Sequence, residues 1–222
     1  MRILKYFQKM KWGKLARSNP NYYIFSDELV SKDEIKYRES GKNDFQRFIL
    51  RDKKLKKFLK SSQSKNCLEL GCGNGRMTEF LAEIFAKVYA LDISEEMIKL
   101  AQKRLNNVKN INYIVDSGEK INLPNDSIDF VFSYAVFQHF PNKTMVEDQL
   151  GEFHRIMKDN AIAKIQIRGC LAYGGIFRYF KWYYGVSFSK KGILNILKEI
   201  GFKIINIQGE KTKLFWLLIR KI

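Results

Sequence analysis

The stretch "NCLELGCGNGRMTEF", residues 66–80, places Gly71, Gly73 and Gly75 in five positions behind a short apolar run. Glycines at this density let a loop turn tightly and bring bare backbone against a ligand. A phosphate-binding loop of the G-x-x-x-x-G-K-[ST] type is excluded, because no Lys-Ser/Thr pair follows the glycines. The dinucleotide fingerprint G-x-G-x-x-G needs a third glycine for close helix–strand packing, and Arg76 stands there instead. The pattern is G-x-G-x-G, with an acid, Glu69, two residues ahead of the first glycine.

Outward from the loop, strand and helix textures alternate. "CLEL", "KVYALDI", "INYIVD", "SIDFVFSYAV" and "AIAKIQI" are short, nearly continuous apolar runs, as strands buried on both faces are. Between them "RMTEFLAEIF", "SEEMIKLAQKRL" and "EDQLGEFHRIM" read as helices, with Ser94 placed to cap the second and Glu95 and Glu96 in its first turn. Such alternation means a parallel sheet wrapped by helices on both faces. The end differs: "SKKGILNILKEIG" is a helix stopped at Gly201, and "FKIINIQ" and "KLFWLLIRKI" are joined by a link that permits only an antiparallel pair. The expected fold is α/β and Rossmann-like, with about seven mostly parallel strands and a C-terminal antiparallel hairpin.

Two acids end strands where a nucleoside would lie. Asp92 stands 21 residues after Gly71, where a carboxylate can take both hydroxyls of a ribose, and Asp116 closes the third strand, where it can accept from an exocyclic amine. With Glu69 they describe a site for a nucleoside carrying an amino-acid cation. Plainer roles exist for each: Glu69 as a loop acid, Asp92 as the partner of a helix N-terminus.

Four ordered stretches carry a family resemblance. "LELGCGNGRMTEFLA", "VYALDISEEMIKLAQKRL", "DSGEKINLPNDSIDFVFSYAVFQHF" and "LGEFHRIMKDNAIAKIQI" resemble the successive motifs of class I S-adenosylmethionine-dependent methyltransferases of the small-molecule type, over about residues 66–168. The resemblance implies S-adenosylmethionine as cofactor. It places Glu69, Gly71, Gly73 and Gly75 along the methionine moiety, Asp92 on the ribose, Ile93 against the adenine, Asp116 and Ser117 at the adenine edge, and Ser133 near the sulfonium. Asp159-Asn160-Ala161 stand where many members have Pro-Gly-Gly, a structural turn.

Residues 1–65 read as a helical lid or extension and residues 66–222 as the methyltransferase domain. Within the extension, "WGKLARSNPNYYIFSD" resembles a lid that some members place before the core, with Tyr22 and Tyr23 closing the donor site. "SNPNYYIFSD" reads as a break in helical pattern, and "NDFQRFILRDKKLKKFL" as one helix. Residues 2–17 form a short basic amphipathic helix that either lies on a membrane surface or docks on its own domain. The later domain carries an aromatic, basic insertion, residues 168–188, where the family commonly has a substrate lid; Arg168, Tyr173 and Arg178 are its candidate acceptor contacts, the alternative being that its aromatics only pack the N-terminal segment.

His139, in "SYAVFQHFPN", follows the fourth strand and is the candidate base for a hydroxyl acceptor, or else a residue that fixes the loop. The amino-directed N-P-P-Y motif and a Pro-Cys nucleophile are both missing there. Three scattered cysteines and two histidines argue against a metal site or disulfide framework and fit a cytoplasmic setting.

The net charge is +17, unevenly spread. Residues 1–65 hold 18 Lys/Arg against 7 Asp/Glu, residues 66–150 hold 8 against 12, and residues 151–222 hold 14 against 4. The "VFQH" loop resembles small-molecule members and favours a small-molecule acceptor, anionic or polar or glycan-like and methylated on oxygen. The basic flanks favour the alternative, RNA or protein methylation, unless the lysines merely solvate the surface; a donor-binding module without turnover is the third reading.

Overall fold

The computed structural model describes residues 2–116, 120–170 and 185–222. The chain divides into two compact units, Met1–Asn122 and Leu123–Ile222. Its strands belong to one seven-stranded sheet in the order β3-β2-β1-β4-β5-β7-β6, where β1 is Asn66–Leu70, β2 Lys87–Asp92, β3 Ile111–Val115, β4 Ile128–Ser133, β5 Met157–Ile167, β6 Phe202–Gln208 and β7 Phe215–Lys221. β1, β2 and β3 run parallel, as do β4 and β5, whereas β7 is antiparallel to both β5 and β6. This is the Rossmann-like fold with the terminal hairpin that the alternation of runs leads one to expect.

In the first unit, β1 is buried along four of its five residues. α6 (Thr78–Ile84) and α7 (Glu95–Arg104) pack against the strands. Ser94 caps α7 by accepting from Met97 N at 3.2 Å, and Glu95 and Glu96 occupy the first turn.

The N-terminal extension is more helical than its sequence suggests. α1 (Arg2–Ser18) is followed at once by α2 (Pro20–Phe25), so "SNPNYYIFSD" is a helix start rather than a break. Asn19 accepts from Tyr22 N at 3.2 Å and Pro20 takes the first helical position, where its missing N–H costs nothing. α3 (Glu28–Ser31) and α4 (Glu34–Phe45) follow, capped by Asp27 and Asp33. The single helix expected over 43–59 is divided: α4 runs into a π-turn at Gln46–Leu50, then a turn, then α5 (Lys56–Leu59). Leu55 is fully buried while Lys53, Lys54, Lys56 and Lys57 face solvent.

In the second unit, α8 (Lys143–Ile156) leads directly into β5. The Asp159-Asn160-Ala161 stretch lies inside β5, where Asn160 adopts φ +63. The register against β4 shifts at the same place. Asparagine tolerates the left-handed region, so it supplies the kink without glycine. α9 (Lys190–Ile200) ends at Gly201, φ +100.

Candidate functional site

The glycine loop leaves β1 and is pinned from below by β2. Gly71 N and Cys72 N both donate to Leu91 O, at 2.7 and 2.9 Å. Gly71, Gly73 and Gly75 all have positive φ: 73, 54 and 87. Asp92, at the end of β2, faces the loop: Oδ2 accepts from Gly73 N and Oδ1 from Ser94 N, each at 2.9 Å. Asp116 N donates to Asp92 O at 2.8 Å, so the chain after β3 is tied to the same point.

Two carboxylates here are held in a poorly hydrated place. Glu69 is buried and accepts from the Thr78 hydroxyl at 2.6 Å. Burial pushes its carboxyl up to about 7, with the nearby Asp92 charge adding to the rise and Thr78 and Arg76 opposing it. Burial raises Asp92 to about 6 against the backbone donors of Ser94, Gly73 and Ile93, and Asp116 contributes in the same direction as burial. Among the described residues neither Glu69 nor Asp92 has an ion-pair partner. Buried negative charge without a paired cation is costly, and a cationic ligand would relieve it.

The extension closes on this loop from the other side. A Cβ on Gly73 would meet Ile24 Cδ1 at 2.7 Å, so α2 lies directly against the loop backbone. Asn74 donates to Asn21 Oδ1 at 2.6 Å and accepts from the Tyr37 hydroxyl at 2.9 Å. Tyr37 is fully buried, which pushes its hydroxyl well above the usual phenol range. Tyr22 and Tyr23 pack edge to face, ring centres 5.4 Å apart, on the same short helix.

Arg76 explains why the third fingerprint glycine is absent. Its guanidinium is buried, donates to Asp44 Oδ2 at 2.7 Å and to the Ser40 hydroxyl at 3.2 Å, and lies 4.8 Å from the centre of the Phe25 ring. Gly41 of α4 is needed there, since a Cβ would meet Arg76 O at 2.4 Å. Sequence reasoning treats Arg76 only as a failed glycine. The available signal is an isolated cation in an otherwise acidic or apolar stretch, with an acid and small residues in "ESGKND" upstream.

Apart from Ile93, the remaining candidates belong to the second unit or lie outside the described residues. Ser133 is fully buried at the end of β4. His139 is buried at the end of a tight turn, Phe137–His139, with its Nε2 3.3 Å from Gln138 Nε2. Arg168 is buried just after β5, and its carbonyl accepts from Phe188 N at 2.9 Å. Ser117, Tyr173 and Arg178 lie outside the described residues. Ile93 sits partly buried between Asp92 and the Ser94 cap. Among the described residues no group of three or more His, Cys, Asp or Glu could hold a metal ion.

Comparison with known proteins decides the family. The methyltransferase-domain family matches residues 68–165, from β1 to β5. Residues 68–165 are a methyltransferase domain. S-adenosylmethionine is the cofactor of such domains. A malonyl-[acyl-carrier protein] O-methyltransferase of Ilyobacter polytropus is 37% identical over 103 residues, 45% of this chain and 39% of its own. A ubiquinone biosynthesis O-methyltransferase of Coxiella burnetii is 28% identical over 138 residues, 62% of this chain and 54% of its own. The chain therefore matches about half or less of these relatives' lengths. Among solved structures, magnesium protoporphyrin IX methyltransferase from Synechocystis PCC 6803 with bound SAM superposes with a TM-score of 0.68 at 18% identity, covering 99% of this chain and 97% of that one. That likeness extends the shared fold into the extension.

The methyltransferase domain's first unit fits this cofactor. S-adenosylmethionine carries two positive charges on its sulfonium and ammonium and one carboxylate. The Glu69 and Asp92 carboxylates, without an ion pair among the described residues, suit its cationic end.

Proposed function

We propose that the protein transfers the methyl group of S-adenosylmethionine to a small-molecule acceptor, on oxygen of an anionic or polar compound. The observation that carries this reading is the buried Glu69 and the half-buried Asp92, two carboxylates without an ion pair among the described residues, beside a glycine loop. In this reading Asp92 accepts from the ribose hydroxyls, Asp116 and Ser117 meet the adenine edge, Ile93 packs on the adenine face, and Glu69 with the glycines flanks the methionine moiety. Ser133 lies toward the sulfonium. The bound donor supplies an activated methyl, so the chain has only to align the acceptor and take its proton.

His139 is the group proposed to accept that proton. It is a buried imidazole on the turn that follows β4, and Gln138 beside it can fix the ring. Tyr22, Tyr23, Arg168, Tyr173 and Arg178 are proposed to bound the acceptor, with residues 1–65 acting as a lid. The O-methyltransferase names of the sequence relatives support an oxygen acceptor.

The test is donor binding by calorimetry, followed by transfer of labelled methyl to a panel of hydroxylated and carboxylated small molecules. His139→Gln should keep donor affinity and lose about 100-fold in kcat with a flattened pH profile. An Asp92→Ala variant that binds the donor as tightly as the parent would sink the site assignment. A second reading, RNA methylation, draws on the 18 and 14 basic residues of the two flanks. RNA binding that weakens steeply with salt, together with labelled RNA, would favour it over the first.

A further inference from the structure

α1 behaves differently at its two ends. Toward its C-terminus it docks on its own unit. Gly13 and Ala16 are buried, a Cβ on Gly13 would meet Glu96 Oε2 at 2.9 Å, and Arg17 pairs with Glu96 of α7. Toward its N-terminus the apolar residues are left outside: Ile3 is 71% exposed, Tyr6 60%, Phe7 62% and Met10 53%. Their spacing of three, four and seven residues puts them on one stripe of the helix, about 11 Å long at 1.5 Å per residue. Elsewhere in a folded protein this periodicity marks the face turned to the core. Here that face is turned to water.

The charge of the same segment selects what covers it. Residues 2–17 contain six Lys/Arg and no Asp/Glu. A second copy of the chain would bring an equally basic helix, and the two would repel. An apolar stripe set in a basic, acid-free helix is complementary to a surface that is apolar within and negative at its rim. We propose that the N-terminal half of α1 is a docking element for anionic phospholipid bilayers. Ile3, Tyr6, Phe7 and Met10 enter the headgroup–acyl boundary, and the basic residues meet the lipid phosphates. The anchored end of α1, fixed on α7, then holds the first unit close to the bilayer. No helix of the described residues is long and apolar enough to cross a membrane, so the contact is interfacial.

Vesicle sedimentation of the full chain tests this. Phosphatidylcholine vesicles containing about 30% phosphatidylglycerol should bind at least about tenfold more protein than phosphatidylcholine alone, and about 0.5 M salt should remove most of the difference. The double variant Phe7→Glu with Met10→Glu should lose about tenfold in binding to the anionic vesicles. Leu29→Glu, at a 79% exposed position on α3, should lose little. Circular dichroism checks that each variant is folded. Independently, the emission of a Phe7→Trp variant should move to shorter wavelength with anionic vesicles only. The proposal is overturned if neutral and anionic vesicles bind alike. It is also overturned if the stripe variant binds as well as Leu29→Glu. A third contrary result is that the stripe variant instead converts a dimer to a monomer in light scattering without lipid.

Discussion

Asp44→Ala should loosen the first unit far more than the loss of one surface acid would. Arg76 Nη2 lies 2.7 Å from Asp44 Oδ2, with the arginine side chain 3% exposed and the aspartate 14%. At an effective dielectric of about 20, unit charges about 4 Å apart attract by about 4 kcal/mol. Stranding one partner of a buried pair costs about 3–5 kcal/mol. The Ser40 hydroxyl and the Phe25 ring remain to the cation, which places the expected loss at the lower end, about 3 kcal/mol. Arg76→Met should cost less, about 1–2 kcal/mol, because Asp44 can take up water while the thioether fills the space. The double variant should then be less damaged than Asp44→Ala alone, with a coupling of about 2 kcal/mol. Unfolding of a chain with two compact units need not be two-state, so the readout is native-state hydrogen exchange at the amides of α4 and α6. A loss below about 1 kcal/mol for Asp44→Ala, or strictly additive single variants, would refute the clasp.

The carboxylates give a pH dependence of defined sign. Glu69 and Asp92 rise from 4.5 and 3.8 to about 7 and about 6, so the folded state holds protons that the unfolded chain releases, and stability without donor falls as pH climbs through that window. Donor affinity should move the other way, strengthening by about tenfold from pH 5 to 8 in calorimetry, with S-adenosylhomocysteine, which lacks the sulfonium charge, gaining less. Gly73→Ala should cost about 1–2 kcal/mol from its φ of +54 alone, and adding Ile24→Ala should restore only the steric remainder in a urea titration. Gly201→Ala should destabilise the second unit by a similar 1–2 kcal/mol (about), since φ is +100 and the new Cβ would sit 2.8 Å from His154 Nε2; a melting temperature equal to the parent's would contradict it.

The strands, the terminal hairpin and the Ser94 cap were legible because each is written locally, in an unbroken apolar run or a cap followed by acids. α4 was not. Its buried residues are Tyr37, Ser40, Gly41 and Phe45, a face built half from small polar groups because a guanidinium rests on it. Apolar periodicity does not show such a face. α2 has no buried residue at all, and its Pro20 start resembles a chain break until the Asn19 cap is seen. Glu69, Asp92 and the glycines could be singled out in the sequence from spacing and residue type. Asn21, Ile24, Asn74 and Arg76 could not, because their partners lie 32 to 53 residues away and nothing in a linear pattern pairs them.

The base of the insertion is set like a hinge plate. Gly169 and Phe188 form a parallel bridge, Cys170 N donates to Phe188 O at 2.9 Å, and Gly169 N donates to Thr212 O at 2.9 Å. A Cβ on Gly169 would meet Glu210 O at 2.0 Å, so the attachment point tolerates no side chain. The contacts at both ends are made by backbone groups, so the spacing between Gly169 and Phe188 rests on the main chain. A side chain at position 169 would therefore disturb the link between β6 and β7 together with the end of β5.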